Sequence, residues 1–289
     1  MAATMNRNLE NLLRPRTLDE IVGNAASVLA VKNMLERDLL RPLLISGPWG
    51  SGKTALADVI RDQVSKMPRA EHDLMRAGST YNCVDQTIGD LREFFHLDEY
   101  GESRVLIFDE ADQLNKKSQT LCLTQLNRQA RAQMYIFCTS EPDEIIGALQ
   151  GRLFHIEMQR LTPSERTELI ARVWKDERAQ ATLWSRDDEY REEFTAEVNK
   201  RGLNIARYIY NALDDFAIGT PADVAVQEWL QKMPATEKKK FSRAEGVARV
   251  ADILKTNPDI SHGQLAQELG VPVGTVREWR KEAEKEYGQ

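Results

Sequence analysis

The sequence has few cysteines, no long apolar run and no excess of positive charge. Its three cysteines, Cys83, Cys122 and Cys138, have spacings that fit neither a metal site nor a disulfide framework. No run approaches the 18 consecutive apolar residues of a membrane helix, and residues 1–7 lack the apolar core of a signal peptide. These absences exclude a disulfide-rich secreted domain and a membrane protein, and they predict a cytoplasmic location.

The charge balance argues against a protein coated in basic surface. The chain of 289 residues has 39 Lys and Arg against 45 Asp and Glu, a formal net charge of -6. Any nucleic acid would therefore bind a local basic patch. Lys238-Lys239-Lys240 and the arginines near the C-terminus are candidates, although a short lysine run also suits a solvated linker. The length suggests two or three domains.

A glycine-rich loop between a strand pattern and a helix pattern is the most specific motif. The apolar residues 42–45 precede it and the helix-like residues 55–60 follow, which is the context of a phosphate-binding loop. Its backbone N–H groups would surround an anion at the start of the new helix. Lys53 would reach the β- and γ-phosphates of ATP, and the Thr54 hydroxyl would bind Mg²⁺. The loop residues expected to bind the nucleotide are Gly47, Pro48, Trp49, Gly50, Ser51, Gly52, Lys53 and Thr54.

Two further apolar runs end in polar residues. Residues 104–108 lead into Asp109 and Glu110, and residues 134–138 lead into Thr139-Ser140. Strands of a parallel sheet read as continuous hydrophobic runs, and ligands gather at their carboxyl ends. We therefore expect Asp109 to hold Mg²⁺, Glu110 to orient and polarise the attacking water, and a hydroxyl after the third strand to bond the γ-phosphate or that water.

The order of these motifs resembles that of the AAA+ ATPases, and most closely their clamp-loader branch with its recombination-associated relatives. Residues 109–112 are similar to the second nucleotide motif of that family; they also spell DEAD, but the other motifs of DEAD-box helicases are not apparent. Residues 14–23 are similar to the box that packs on the adenine in that family. The resemblance implies that these residues contact the adenine: Arg14, Pro15, Val22 and Gly23.

The resemblance also implies two sensor residues. Residues 139–142 are similar to the end of the sensor 1 strand, which places Ser140 at the sensor position. Residues 205–214 are similar to the sensor 2 helix, which places Arg207 where the family has an arginine that contacts phosphate. The glycine that usually stands three residues earlier is Asn204 here.

An arginine finger is the last element that the resemblance implies. Residues 145–152 are similar to a segment that ends in Ser-Arg-Cys in the family, where the arginine reaches the ATP of a neighbouring subunit. Arg152 takes that place, with Gly151 and Leu153 on either side. ATP hydrolysis would then occur at a subunit interface of a homo- or hetero-oligomer, and an isolated subunit would be a poor ATPase.

The C-terminal segment has a helix-turn-helix pattern. Ser261 suits a helix cap, Gly270 suits a helix end, and Val271, Val276 and Trp279 are spaced to pack on a small core. The second helix of such a motif lies in the major groove of DNA. The residues expected to face DNA are Val273, Gly274, Thr275, Arg277, Arg280 and Lys281.

A protein-docking module is the alternative reading of the same pattern, since residues 242–289 hold seven Lys or Arg against eight Asp or Glu. This segment also departs from the clamp-loader subunits, which carry a helical collar after the lid.

The sequence predicts an α/β AAA+ domain with a parallel sheet (1–160), a helical lid (161–216), a linker (217–241) and an all-α helix-turn-helix domain (242–289). We expect an ATP-dependent, oligomeric, DNA-associated ATPase that acts in replication, recombination or transposition, with a ring protein, transposase or recombinase as a client. Two alternatives stay open. One is an ATP-switched regulator whose C-terminal module recognises DNA or protein, and the other is a loader of a sliding clamp or helicase.

Overall fold

The computed structural model describes most of the first 233 residues and a few positions beyond them. The described residues are 8–67, 78–84, 86–98, 105–128, 134–181 and 187–233, together with 247, 250, 251, 253, 254, 279–281 and 283. The chain divides into two compact units, Met1–Leu230 and Gln231–Gln289. Within the described residues, no helix combines the length and the apolar character needed to cross a membrane.

A parallel sheet forms the centre of the first unit. Its strands are β1 (Leu43–Ser46), β2 (Ser79–Asn82), β3 (Val105–Asp109), β4 (Met134–Thr139) and β5 (Phe154–Glu157). They lie in the order β2-β3-β4-β1-β5, and every neighbouring pair is parallel. Strands β1 and β4 are buried along their whole length, as expected for strands covered on both faces. The predicted parallel α/β sheet is confirmed.

Helices cover both faces of this sheet. The helices in this part of the chain are α1 (Leu9–Leu12), α2 (Ala25–Glu36), α3 (Lys53–Ser65), α4 (Ile88–Asp98), α5 (Lys116–Arg128) and α6 (Gly147–Gln150), and all of these except α1 pack on the sheet. One buried apolar cluster joins α2 and α3 to the sheet, and a second joins α4, α5 and α6 to its other face. In the second cluster the ring of Phe108 stacks on that of Phe137, with centroids 4.7 Å apart. The alternation of side chains along β1, β3 and β4 supplies both cores.

A group of helices follows β5. It comprises α7 (Pro163–Lys175), α8 (Asp188–Arg201), α9 (Ala206–Ala217) and α10 (Ala222–Lys232). Helix α7 begins with a capping box in which Thr162 and Glu165 satisfy each other's backbone N–H groups. Helix α10 falls within the predicted linker, residues 217–241. Its residues Ala222, Ala225 and Val226 are buried, so this helix packs on the rest of the chain.

The N-terminal helix α1 packs on α9 of this helical group. The Leu9 backbone N–H donates to the Asp214 carboxylate at 3.0 Å, and the Asn8 side chain donates to that of Asn211 at 3.2 Å. Leu9 itself is fully buried. The start of the chain is therefore tied to a helix about 200 residues later.

The second unit contains one small apolar cluster among its described residues. Val247, Val250 and Ala251 are buried together with Trp279 and Ala283. Trp279 was expected to pack on a core of this kind. The predicted DNA-facing residues Val273, Gly274, Thr275 and Arg277 lie outside the described residues.

Candidate functional site

The loop between β1 and α3 has the backbone of an anion-binding turn. Gly47 has φ +148° and Gly50 has φ +72°, which are conformations that side chains rarely adopt. A Cβ on Gly47 would lie 2.2 Å from the Met158 carbonyl oxygen, and one on Gly50 would lie 2.4 Å from Ile205 Cγ2. Both positions therefore require glycine, and the loop is fixed between the sheet and the helices that follow it.

Lys53 and Thr54 begin helix α3 and contact residues at the ends of the neighbouring strands. Lys53 Nζ donates to the carbonyl oxygens of Gly47 and Pro48 at 2.7 and 3.0 Å, and to Ser140 Oγ at 3.0 Å. Thr54 Oγ1 lies 3.1 Å from both carboxylate oxygens of Asp109. Residues from β3, β4 and α3 that the sequence predicted for one site are thus brought together at one edge of the sheet.

A cleft of about 340 Å³ lies between this edge and the helices after β5. The predicted residues that line it are Arg14, Pro15, Val22, Gly50, Ser51, Gly52, Lys53, Thr54, Asp109 and Arg207. Gly23, Gly47, Pro48 and Trp49 do not line it, and the Trp49 side chain is half exposed. Glu110 and Ser140 do not line the cleft either. Glu110 follows the lining residue Asp109 in the chain, and the Ser140 hydroxyl accepts a hydrogen bond from the lining residue Lys53.

The far wall of the cleft is made by α1 and α9, and it contains residues that the sequence did not single out. Arg207 Nε donates to Glu10 Oε1 at 2.7 Å, and Arg14 forms an ion pair with Asp58. Tyr210 lies one helical turn after Arg207 and also lines the cleft. The i, i+3 spacing from Arg207 could have indicated Tyr210, whereas no local signal relates Glu10 to a residue 197 positions away.

The two carboxylates that follow β3, those of Glu110 and Asp112, have different environments. Burial raises the pKa of Glu110, and the negative charges of Asp109 and Asp112 raise it further, while Lys53 and Arg207 act in the opposite direction. Burial also raises the pKa of Asp112, but hydrogen bonds from Thr139, Gln113 and Ser140 outweigh it, and the pKa lies below its ordinary value. Asp112 is therefore held as a carboxylate by its hydrogen-bond donors.

Arg152 lies away from the cleft of its own subunit. It is exposed just before β5, where its Nε donates to Asn127 Oδ1 at 3.1 Å and its Nη1 donates to the Ala148 carbonyl oxygen at 2.9 Å. Of the predicted DNA-facing residues, Arg280 and Lys281 are described; both are helical, Arg280 is half-buried and Lys281 is exposed.

The cleft fits a nucleotide on its own geometry. Ser51 Oγ is buried in the loop and has no hydrogen-bond partner within the described part of the chain, so an anion in the loop would give it one. Oxygen ligands are what Mg²⁺ prefers, and the Thr54 hydroxyl and the Asp109 carboxylate lie side by side. The donors present therefore suit a phosphate chain together with a hard cation.

The fold and this site define a P-loop nucleotide-binding protein. Residues 43–161 match the family described as "ATPase family associated with various cellular activities (AAA)". This segment runs from β1 through β5, so it contains the phosphate loop and both strands that end in site residues. This part of the chain therefore matches an AAA ATPase domain.

Similar proteins agree with this assignment. The chain is 24% identical over 228 residues to the replication factor C small subunit of Haloarcula marismortui. This alignment covers 76% of this chain and 68% of that protein. A structure of a Thermotoga maritima RuvB variant is 20% identical, with a TM-score of 0.55. That match covers 96% of this chain and 92% of the RuvB chain. Domain III of the replication initiation protein DnaA from Thermotoga maritima is 18% identical, with a TM-score of 0.54. That match covers 75% of this chain and 96% of the DnaA domain. The two structures establish the likeness of fold.

Proposed function

We propose that this protein is a self-assembling, DNA-associated AAA+ ATPase that acts in DNA replication, recombination or transposition. The observation that carries the proposal is the convergence of Lys53, Thr54, Asp109 and Ser140 at one end of the sheet, facing Arg207 across a cleft. The AAA match supports the chemistry, and the name of the Haloarcula marismortui relative supports a role in replication.

Each subunit would supply most of one ATP site. The loop N–H groups and Lys53 would hold the β- and γ-phosphates, because they offer donors and a positive charge at the start of α3. Thr54 and Asp109 would hold Mg²⁺, which would supply positive charge against the phosphates. The box residues Arg14, Pro15, Val22 and Gly23 would contact the adenine.

Three residues would act on the bond that breaks. Glu110, which directly follows Asp109 at the end of β3, would orient the attacking water and accept its proton. Ser140, bonded to Lys53, would orient that water or the γ-phosphate. Arg207 would contact the phosphate from the lid once it leaves Glu10.

Arg152 would complete the ATP site of a neighbouring subunit. It is exposed and anchored by Asn127 and Ala148 on its own subunit, which would present its guanidinium in a defined direction. Such a finger stabilises charge on the transferring phosphoryl group and is worth roughly 10³–10⁵ in rate. ATP turnover would therefore depend on assembly.

The C-terminal unit would provide contact with DNA. Val273, Gly274, Thr275 and Arg277 would face the groove, with Arg280 and Lys281 near phosphates. A protein-docking role is the alternative, and so few cations predict an affinity that falls steeply with salt. Loss of residues 242–289 should therefore weaken DNA binding, whereas unchanged affinity would place the DNA contact in the ATPase domain.

A ring-loading role is the second candidate, because the Haloarcula marismortui relative is named as a replication factor C subunit. Such a role predicts that ATP turnover needs both a ring protein and primed DNA. An ATP-switched regulator would instead bind one DNA sequence without remodelling it.

The test is to measure ATP turnover with no DNA and with duplex, single-stranded or primed DNA, and to follow assembly by mass photometry with a non-hydrolysable ATP analogue. We expect turnover to rise with DNA and the particle mass to rise with the analogue. A chain that stays monomeric and whose turnover ignores every DNA would contradict the proposal.

A further inference from the structure

Asp112 is the last residue of the motif at 109–112, and the proposed chemistry uses only the first two. Its Oδ1 accepts a hydrogen bond from the Thr139 hydroxyl at 2.6 Å and another from the Ser140 backbone N–H at 3.2 Å. Asp112 lies in the 3-10 turn Ala111–Gln113 after β3, and Thr139 is the fully buried last residue of β4. One carboxylate oxygen therefore joins the ends of two neighbouring strands.

The contacts of Asp112 affect the position of Ser140. The Ser140 hydroxyl accepts from Lys53 Nζ, and its backbone N–H is held by Asp112. Loss of the Asp112 oxygen would leave the Thr139 hydroxyl and the Ser140 N–H without the acceptor that they share. The residue that contacts Lys53 would then lose one of the bonds that fix its backbone.

The same turn also holds Glu110. Glu110 has φ +55°, a left-handed conformation that is unusual for a residue with a side chain, and its carbonyl oxygen accepts from the Gln113 N–H at 2.9 Å. A conformation of this kind persists only where the surrounding structure holds it. Asp112 lies inside the turn that Glu110 begins, so its bonds to β4 tie Glu110 and Ser140 to one framework.

Hydrogen bonds hold the Asp112 carboxylate in place. In the part of the chain that the structure describes, it forms no ion pair, and its second oxygen accepts from Gln113 Nε2 at 2.9 Å. Asp112 does not line the cleft. An asparagine would present a carbonyl oxygen to the same two donors, whereas an alanine would present none.

We propose that Asp112 is a positioning residue for ATP hydrolysis, which holds Ser140 in register with Glu110 across the ends of β3 and β4. This inference rests on the proposed roles of Glu110 and Ser140 in turnover. It assigns a use to the fourth residue of the motif that does not require contact with the nucleotide.

The test compares full-length Asp112→Ala, Asp112→Asn and Gln113→Ala proteins. We expect Asp112→Ala to lower kcat by about 10–100-fold, since small misplacement of reacting groups is costly. KM for ATP and the stoichiometry of binding of a fluorescent ADP analogue should stay near the wild-type values, because Lys53 and the loop are unchanged. Asp112→Asn should restore kcat to within about threefold of wild type, and Gln113→Ala, which removes only the bond to the other oxygen, should match wild type.

Thr139 gives an independent test that does not alter Asp112. Thr139→Val should lower kcat and Thr139→Ser should retain it. In the Asp112→Ala background, Thr139→Val should slow turnover less than it does in wild type, because the bond between the two residues is already lost and only the bond that the Thr139 hydroxyl accepts from the Glu141 N–H is left to remove. Multiplying effects in the double variant would show that the two residues act separately and would overturn the inference.

The other outcomes are equally decisive. Full activity of Asp112→Ala, an Asp112→Asn protein as slow as Asp112→Ala, or a loss of kcat that follows a loss of ADP-binding stoichiometry would overturn the positioning role. If wild type itself binds nucleotide but shows no turnover with any DNA, the proposed function fails, and this inference fails with it. Wild-type turnover together with a fully active Asp112→Ala protein overturns the inference alone.

Discussion

The two sides of the nucleotide cleft are held by different kinds of contact. On the sheet side, Lys53 and Thr54 bond to residues of the phosphate loop and of the strand ends at 2.7–3.1 Å, and the strands behind them are buried. On the lid side, Arg207 forms one ion pair with Glu10, and their side chains are 49% and 31% exposed. The sheet side is therefore organised before a nucleotide arrives, whereas Arg207, in its proposed role, would have to exchange the Glu10 carboxylate for a phosphate.

This difference suggests how the two sides divide the work. Electrostatic catalysis gains most from groups that are already in place, which favours the sheet side as the location of the chemistry. Exposed ion pairs contribute little to stability, so the lid contact can break at small cost. We therefore expect loss of the sheet-side groups to have large effects on turnover, and loss of the Glu10 contact on the lid side to adjust nucleotide binding.

Within one subunit, the largest effect on the sheet side should come from Glu110→Gln. The amide keeps the size of the side chain but cannot accept the proton of the attacking water, so turnover should fall by about 10²–10⁴-fold. ATP binding should stay nearly intact because Lys53, Thr54 and Asp109 remain. Parallel ATPase and nucleotide-binding assays check this, and unchanged turnover would remove Glu110 from its catalytic role.

A smaller effect should follow Glu10→Gln on the lid side. This change removes the charge that holds Arg207, and because an exposed pair is worth about 0.2–1 kcal/mol, ATP affinity should rise by up to about fivefold. Titration with a fluorescent ATP analogue measures the change. The same titration with an Arg207→Ala/Glu10→Gln protein is the control, since no gain should remain without the arginine. Weaker binding by Glu10→Gln alone would mean that Glu10 itself helps to hold the nucleotide.

A change in stability rather than in turnover is expected where α1 meets α9, and it depends on pH. Burial, with the nearby charges of Asp215 and Glu10, raises the pKa of Asp214 from its usual 3.8 to about 6, although the Leu9 N–H opposes this. The folded state therefore disfavours the charged form, a cost that is fully present above pH 6 and is relieved as the pH falls towards 4. Because Asn keeps an acceptor for Leu9, Asp214→Asn should raise the free energy of unfolding at pH 7.5 by about 1–2 kcal/mol.

Denaturant unfolding of wild type and Asp214→Asn across pH 4.5–7.5 checks this expectation. The difference in unfolding free energy should shrink as the pH falls. A difference that does not change with pH would show that Asp214 is not the group that titrates.

The sequence predicted the sheet side better than the lid side, and the reason is physical. Lys53, Thr54 and Asp109 each follow or begin an element whose apolar pattern is local, so their meeting at one edge follows from a parallel sheet. The Glu10–Arg207 pair joins two surface side chains 197 positions apart, and no periodicity encodes it. The bond from Thr139 to Asp112 was hidden for a similar reason: both residues stood inside predicted motifs, but which oxygen met which donor depends on the packing of β3 beside β4.

The central claim is that ATP is hydrolysed between subunits, and mixing two inactive variants tests it most directly. Lys53→Ala removes the nucleotide contact and Arg152→Ala removes the finger, so each protein alone should be inactive. In assemblies formed from an equal mixture, about a quarter of the interfaces should pair an intact loop with an intact finger. Turnover should then recover to about a quarter of the wild-type rate. Co-purification of one untagged variant with the other, affinity-tagged variant confirms that mixed assemblies form. No recovery at any mixing ratio in such assemblies would contradict the shared site.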